Sequence, residues 1–193
     1  MVCAVLLGEF QARLIGLGTP VVYEHNAAFG YTLAPNQNVT RLRNANIIIN
    51  ESGLRSDKTW ETENNNKIKI LFLGDSVTYG GSYIDNSQLF TSQICGDLGD
   101  KFICGNAGVN SYGVLNIALR SRYDSRVQDA NIVIFTFVLS DFLRGLQNSS
   151  VAHYYLSPPN RWMPGLEESL NFLEPVSNMH HMLKERLPWR LTM

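Results

Sequence analysis

Ser76 is the residue whose type and setting best suit nucleophilic chemistry. It follows the apolar run Ile70-Leu71-Phe72-Leu73 and the pair Gly74-Asp75. A serine hydroxyl attacks a carbonyl when it is held outward, relieved of its proton by a base, and faced by N–H donors that receive the oxyanion. A strand-to-helix turn supplies two of these conditions, because it aims a side chain beyond the sheet and leaves the first helical N–H groups open to an anion. Helix capping alone also accounts for an aspartate and a serine at such a point. Two further strand-like runs end in small and polar residues: Asn106-Ala107-Gly108-Val109-Asn110-Ser111-Tyr112-Gly113, and Phe137-Val138-Leu139-Ser140-Asp141. Each by itself reads as a turn or a cap. Three in succession form a constellation.

The elements that must position these segments follow from periodicity. Lys-Ile-Lys-Ile passes into continuous apolar sequence up to Leu73, the pattern of a strand buried on both faces. Beyond it the patterns predict a helix over about 87–98, a short strand over 101–104, a helix over 114–123 and a strand over 132–138. This βαβαβ order predicts an α/β fold with a parallel sheet, whose sites lie beyond the carboxyl ends of the strands. Ahead of it, 56–66 is a polar loop. It divides a lead-in, 1–66, holding a helix and isolated strand signals of which 45–50 is the best, from a core, 67–193. After Asp141 no further Val/Ile-rich run occurs, and 166–173 and 177–187 read as helical. Three strands are few for an open parallel sheet, so the fold is expected to be incomplete at its C-terminal side.

With 193 residues and 45% hydrophobic content, the chain is long enough for one sizeable core. Its net charge of −1 gives no electrostatic reason to expect nucleic acid or an anionic membrane surface. Cys3, Cys95 and Cys104 lack metal-ligand spacing. Cys95 and Cys104 can pair in an oxidising compartment, although buried free thiols are the commoner arrangement. No dinucleotide fingerprint, phosphate loop or metal cluster appears, so no cofactor is expected. Met1 to Gly8 is apolar but stops at Glu9, short of the roughly 20 residues that span a bilayer. It suits the end of an anchor whose earlier part is not in the chain. Leu6, Phe10, Leu14 and Leu17, with Glu9 and Arg13 spaced i, i+4, predict an amphipathic helix.

The chain resembles the SGNH, or GDSL, hydrolase family. Residues 70–80, from Ile70 through Gly74-Asp75-Ser76 to Gly80, are similar to that family's serine block, and 106–113 to its glycine block. Gly30-Tyr31-Thr32-Leu33-Ala34-Pro35-Asn36 and Ile49-Asn50-Glu51-Ser52-Gly53-Leu54-Arg55 resemble segments ahead of the serine block in a membrane-associated or exported bacterial subgroup. The resemblance implies a flavodoxin-like three-layer α/β/α fold and an esterase activity. It implies Ser76 as nucleophile, with the N–H groups of Ser76 and Gly108 as oxyanion donors. The third block departs from the family's Gly-x-Asn-Asp: aligning the aspartate on Asp141 puts Val138 at the glycine and Ser140 at the asparagine. A serine hydroxyl is shorter and has one proton to give, and losing such a donor costs about 3 kcal/mol of transition-state stabilisation. Asp141 and Arg144 are expected to hold one another or the loop.

The family takes its base from an Asp-x-x-His block. Three positions before His25, His153, His180 and His181 stand Val22, Ser150, Ser177 and Asn178, none a carboxylate. Asn178-Met179-His180-His181 comes nearest, which makes His181 the candidate base. A chain that ends before the last part of the fold explains the few strands and the missing block together; a natural short form that binds without hydrolysing is the rival. The expected substrate is an acylated saccharide or another small ester, with O-acyl transfer onto an envelope polysaccharide and a non-catalytic carbohydrate- or acyl-binding module as alternatives.

Overall fold

The computed structural model describes residues 2–61, 66–148, 156 and 163–170. They fall into two compact units, one from 1–19 with the segment beyond 158, the other from 20–158.

In the first unit α1 spans Val2–Leu14, and residues 164–170 form a second helix, α6, part of the predicted 166–173 segment. The helix expected at the N-terminus is present, but its polarity is reversed. Leu6, Phe10 and Leu14 lie 58 to 65% exposed, whereas Glu9 and Ala12 are buried; of the expected apolar positions only Leu17, just past the helix, is buried. The reason is polar: the Glu9 carboxylate accepts the Gly165 and Leu166 N–H groups at 3.2 and 2.9 Å, and takes an ion pair from Arg13 at 2.6 Å. A carboxylate that receives the open N–H groups of a first helical turn is favourable there. Among the described residues no helix is long and apolar enough to cross a membrane.

The second unit is built on a mixed α/β core. Its sheet has three parallel strands, β5 (Ile68–Gly74), β6 (Phe102–Gly108) and β7 (Ile132–Phe135), in the order β6-β5-β7. The lead-in forms two antiparallel hairpins, β1 (Tyr23–Asn26) with β2 (Gly30–Leu33), and β3 (Gln37–Thr40) with β4 (Asn46–Ile49). The connections carry α2 (Ser76–Tyr79), α3 (Phe90–Leu98), α4 (Val114–Tyr123) and α5 (Ser125–Asp129). Strand alternation divides the core in two. Leu71, Leu73, Ile103 and Ala107 pack with Ile117 of α4 and with Tyr31, Leu33, Ile47, Leu54 and Trp60 of the lead-in. Ile70, Phe72 and Cys104 face Cys95 of α3. The middle strand thus buries both faces, as continuous apolar sequence requires.

Two expectations need correction. β6 does not stop at Cys104 but runs to Gly108, pairing residue for residue with β5 so that Gly74 lies opposite Gly108. Its small residues permit this: a Cβ on Gly105 would reach Leu54 and Trp60 at 2.6 and 2.9 Å, and one on Gly108 would collide with the Thr78–Tyr79 backbone. Cys95 and Cys104 are not free thiols. Their Cα atoms lie 5.8 Å apart and the pair forms a disulfide that ties α3 to β6.

Candidate active site at the carboxyl ends of the strands

Ser76 stands at the first position of α2, immediately beyond the central strand, and is partly exposed. Asp75 precedes it as the N-cap. Its buried carboxylate accepts the Val77 N–H at 2.9 Å and approaches the Ser76 hydroxyl at 3.5 Å. Capping and exposure of the hydroxyl are therefore not alternatives here, because the cap fixes the turn that exposes it. The Ser76 N–H has no protein acceptor among the described residues. An open depression of about 360 Å³, lined by Asp75, Val77, Phe135, Thr136, Phe137 and Val138, lies alongside.

The glycine block is arranged differently from what its resemblance implied. The Gly108 N–H donates to the Asn106 side-chain oxygen at 2.9 Å, and both residues are buried. Because Gly108 is still in the strand, its amide turns inward to satisfy a buried acceptor and does not offer a donor to an oxyanion. The Asn106 amide group also donates to the Thr78 carbonyl at 2.6 Å, joining β6 to α2. Beyond Gly108, Val109 N–H bonds to Gly74 O at 3.1 Å. The loop then reaches Ser111, a non-glycine residue held at φ +65°. The Asn110 and Ser111 N–H groups find no acceptor among the described residues, so the open amides of this block lie in the loop beyond the strand. Left-handed backbone at a serine is uncommon; sequence spacing alone gave no sign of it.

The lead-in buttresses this loop. Tyr31 hydroxyl donates to Asn110 O at 2.7 Å, Tyr112 hydroxyl to Tyr31 O, and Asn110 side-chain amide to Tyr23 hydroxyl at 3.0 Å. Burial pushes the Tyr31 hydroxyl up in pKa and the Tyr112 hydroxyl up to about 12, so both stay neutral donors. Arg55, fully buried, donates to the Tyr79 and Gly81 carbonyls at 2.7 and 2.6 Å and to that of Ile84, which sets the loop leaving α2. Its burial draws the guanidinium below its ordinary pKa. Neither role is visible in sequence.

After β7, residues Leu139–Phe142 form a 3-10 turn. Asp141 is fully buried and caps it, accepting the Val138 N–H at 3.0 Å and the Arg144 guanidinium at 2.9 Å. It holds the loop and does not face solvent. Ser140 is exposed, with its hydroxyl 3.5 Å from Arg144. Thr136, unremarked in sequence, shares a hydrogen bond with Thr78 across β7 and α2. His153, His180 and His181 lie outside the described residues, as does the helix expected over 177–187. Among the described residues the one histidine is His25, exposed on the β1 hairpin strand. No protein-family model matches the chain, and no curated protein matches it.

Proposed function

We propose that the chain is a serine-dependent ester hydrolase domain of the SGNH type, acting on an acylated saccharide or a similarly small acyl ester. The observation that carries this reading is the placement of Ser76: partly exposed, at the first turn of a helix, beyond the central strand of a parallel sheet, with an amide that has no acceptor among the described residues. The strand order β6-β5-β7 supports a flavodoxin-like arrangement, in which the second strand in sequence flanks the first on one side and the third on the other. Ser76 attacks the acyl carbonyl, the leaving alcohol departs with a proton, and water releases the acyl group from the serine. The Ser76 amide is the first donor offered to the oxyanion, the open Asn110 and Ser111 amides of the loop after β6 supply the next, and the Ser140 hydroxyl is a further one. His181 is the candidate base. No cofactor enters this chemistry.

A second reading is a module that binds a carbohydrate or acyl group without turnover. The buried setting of Asp141 and the absence of an imidazole beside Ser76 among the described residues favour it. Hydrolysis of p-nitrophenyl acetate separates the two: the parent turns over the ester, Ser76→Ala loses at least about a hundredfold in rate, and equal rates remove Ser76 from the mechanism.

A further inference from the structure

Arg144 touches all three segments that leave the carboxyl ends of the sheet. Its Nη1 lies 3.7 Å from the Asp75 carboxylate after β5, 3.1 Å from the Tyr112 carbonyl after β6, and 2.9 Å from the Asp141 carboxylate after β7. Asp75 and Asp141 are 1% and 0% exposed, and their carboxyl groups face each other. Two carboxylates packed together out of water repel, and a shared cation offsets that repulsion. The other groups facing this pair are the Val77 and Val138 N–H donors and the Ser76 hydroxyl, and the neutral Tyr31 hydroxyl also senses the guanidinium.

We propose that Arg144 is the positioning residue of the Ser76 site: one guanidinium, shared by the Asp75 and Asp141 carboxyl groups and the Tyr112 carbonyl, holds the Asp75 cap that presents Ser76. The inference rests on the serine reading above and deepens it. With Arg144 in place the capping carboxylate accepts Val77 N–H, and α2 begins at Ser76. Without it Asp141 takes up a proton and donates to the Asp75 carboxylate, which draws that carboxylate from Val77 N–H and loosens the cap. Burial, and then the Asp75 carboxyl, already push Asp141 above the ordinary carboxylate range. Removing the cation extends that trend.

The test compares the parent, Arg144→Met, Arg144→Lys, Asp141→Asn and the Arg144→Met/Asp141→Asn pair, in the full chain. The first readout is the rate at which a fluorophosphonate probe labels Ser76 between pH 4 and 8. The acid limb of this profile moves at least about one pH unit upward in Arg144→Met, returns most of the way in Arg144→Lys, and does not move when Asp141→Asn accompanies Arg144→Met. A limb that stays in place while labelling merely weakens overturns the proposal. The second readout is thermal unfolding over the same range, which needs no activity. A carboxyl whose folded pKa lies above its unfolded one adds stability at low pH that is lost as pH rises through the folded value. Arg144→Met therefore loses Tm more steeply than the parent as pH rises, and Asp141→Asn suppresses the difference. Parallel curves overturn the clamp. A parent that does not label, with the predicted unfolding curves, removes the serine reading and leaves the clamp standing.

Discussion

Replacing Asp124 by asparagine removes one charge from the junction of α4 and α5 and leaves its shape nearly intact. The carboxylate takes Arg120 Nε at 2.8 Å, Arg126 Nε and Nη2 at 2.7 and 2.6 Å, and the Arg126 N–H at 3.0 Å. Burial raises its pKa, but hydrogen bonds and charge from Arg126 and Arg120 more than reverse this and bring it from 3.8 to about 2. That difference corresponds to roughly 2.4 kcal/mol favouring the ionised form in the folded chain. Because the folded value is the lower one, the contribution is complete above the unfolded pKa and is lost as pH falls toward 2. At pH 3 about half of it remains. Asparagine preserves the cap on α5 but leaves the buried Arg120 without its counter-ion, a loss that runs to about 3–5 kcal/mol when burial is complete. Urea unfolding of parent and Asp124→Asn at pH 7 and pH 3 measures it. We expect a gap of about 2–4 kcal/mol at pH 7 that narrows by about 1 kcal/mol at pH 3. A gap below about 1 kcal/mol at pH 7, or one that does not change with pH, refutes the reasoning.

Two further outcomes follow from packing. Gly108→Ala places a methyl group against the Thr78 carbonyl carbon at 2.6 Å and against the Tyr79 nitrogen. It should destabilise by about 2–3 kcal/mol, lowering Tm by circular dichroism and slowing Ser76 labelling by displacing α2; a Tm within 1 °C of the parent (about 0.3 kcal/mol) would mean that α2 does not sit this close to β6. Reducing the Cys95–Cys104 disulfide, whose cysteines are 9 residues apart, should cost roughly 2.6 kcal/mol by the chain-entropy model. Thermal melts with and without dithiothreitol measure this, and a Cys95→Ser/Cys104→Ser variant should match the reduced parent.

What the sequence made legible is what hydrophobic period determines. The run of β5, the helix over 114–123 and the best lead-in strand appear close to where periodicity puts them, since each buries a regular face, and β7 begins where its apolar pattern does. Where small residues replaced bulky ones the signal failed. Gly105, Asn106, Ala107 and Gly108 read as loop, yet they pair with β5 as strand, and Gly105 and Gly108 are small because Trp60 and α2 press against them too closely for larger side chains. Conversely, β7 ends at Phe135, three residues before its apolar pattern does, and Phe137 and Leu139 lie exposed in the loop beyond. The N-terminal helix fails for another reason. An apolar count assigns its inner face to leucines, but the buried face is chosen by a carboxylate that a neighbouring helix start requires.

The site depends on the same kind of interaction, and this explains why its second tier was hidden. Ser76 stands out because it follows a strand; nothing periodic marks Arg55, Asn106 or Arg144. Each is a long or branched polar side chain that bridges groups far apart in sequence: Arg55 to the carbonyls after α2, Asn106 from β6 to Thr78, Arg144 to all three strand ends. Such bridges are favourable only when every donor finds an acceptor, since a buried polar group left unpaired costs more than its bond returns. They therefore appear only after the backbone has brought the loops together. The Asp141–Arg144 pair, only three residues apart, was within reach of the sequence, but the reach of Arg144 to Asp75 and Tyr112 and that of Asn106 to Thr78 were not, and variants at Arg144 and Asn106 probe the Ser76 turn more directly than further substitutions in the apolar strand that announces it.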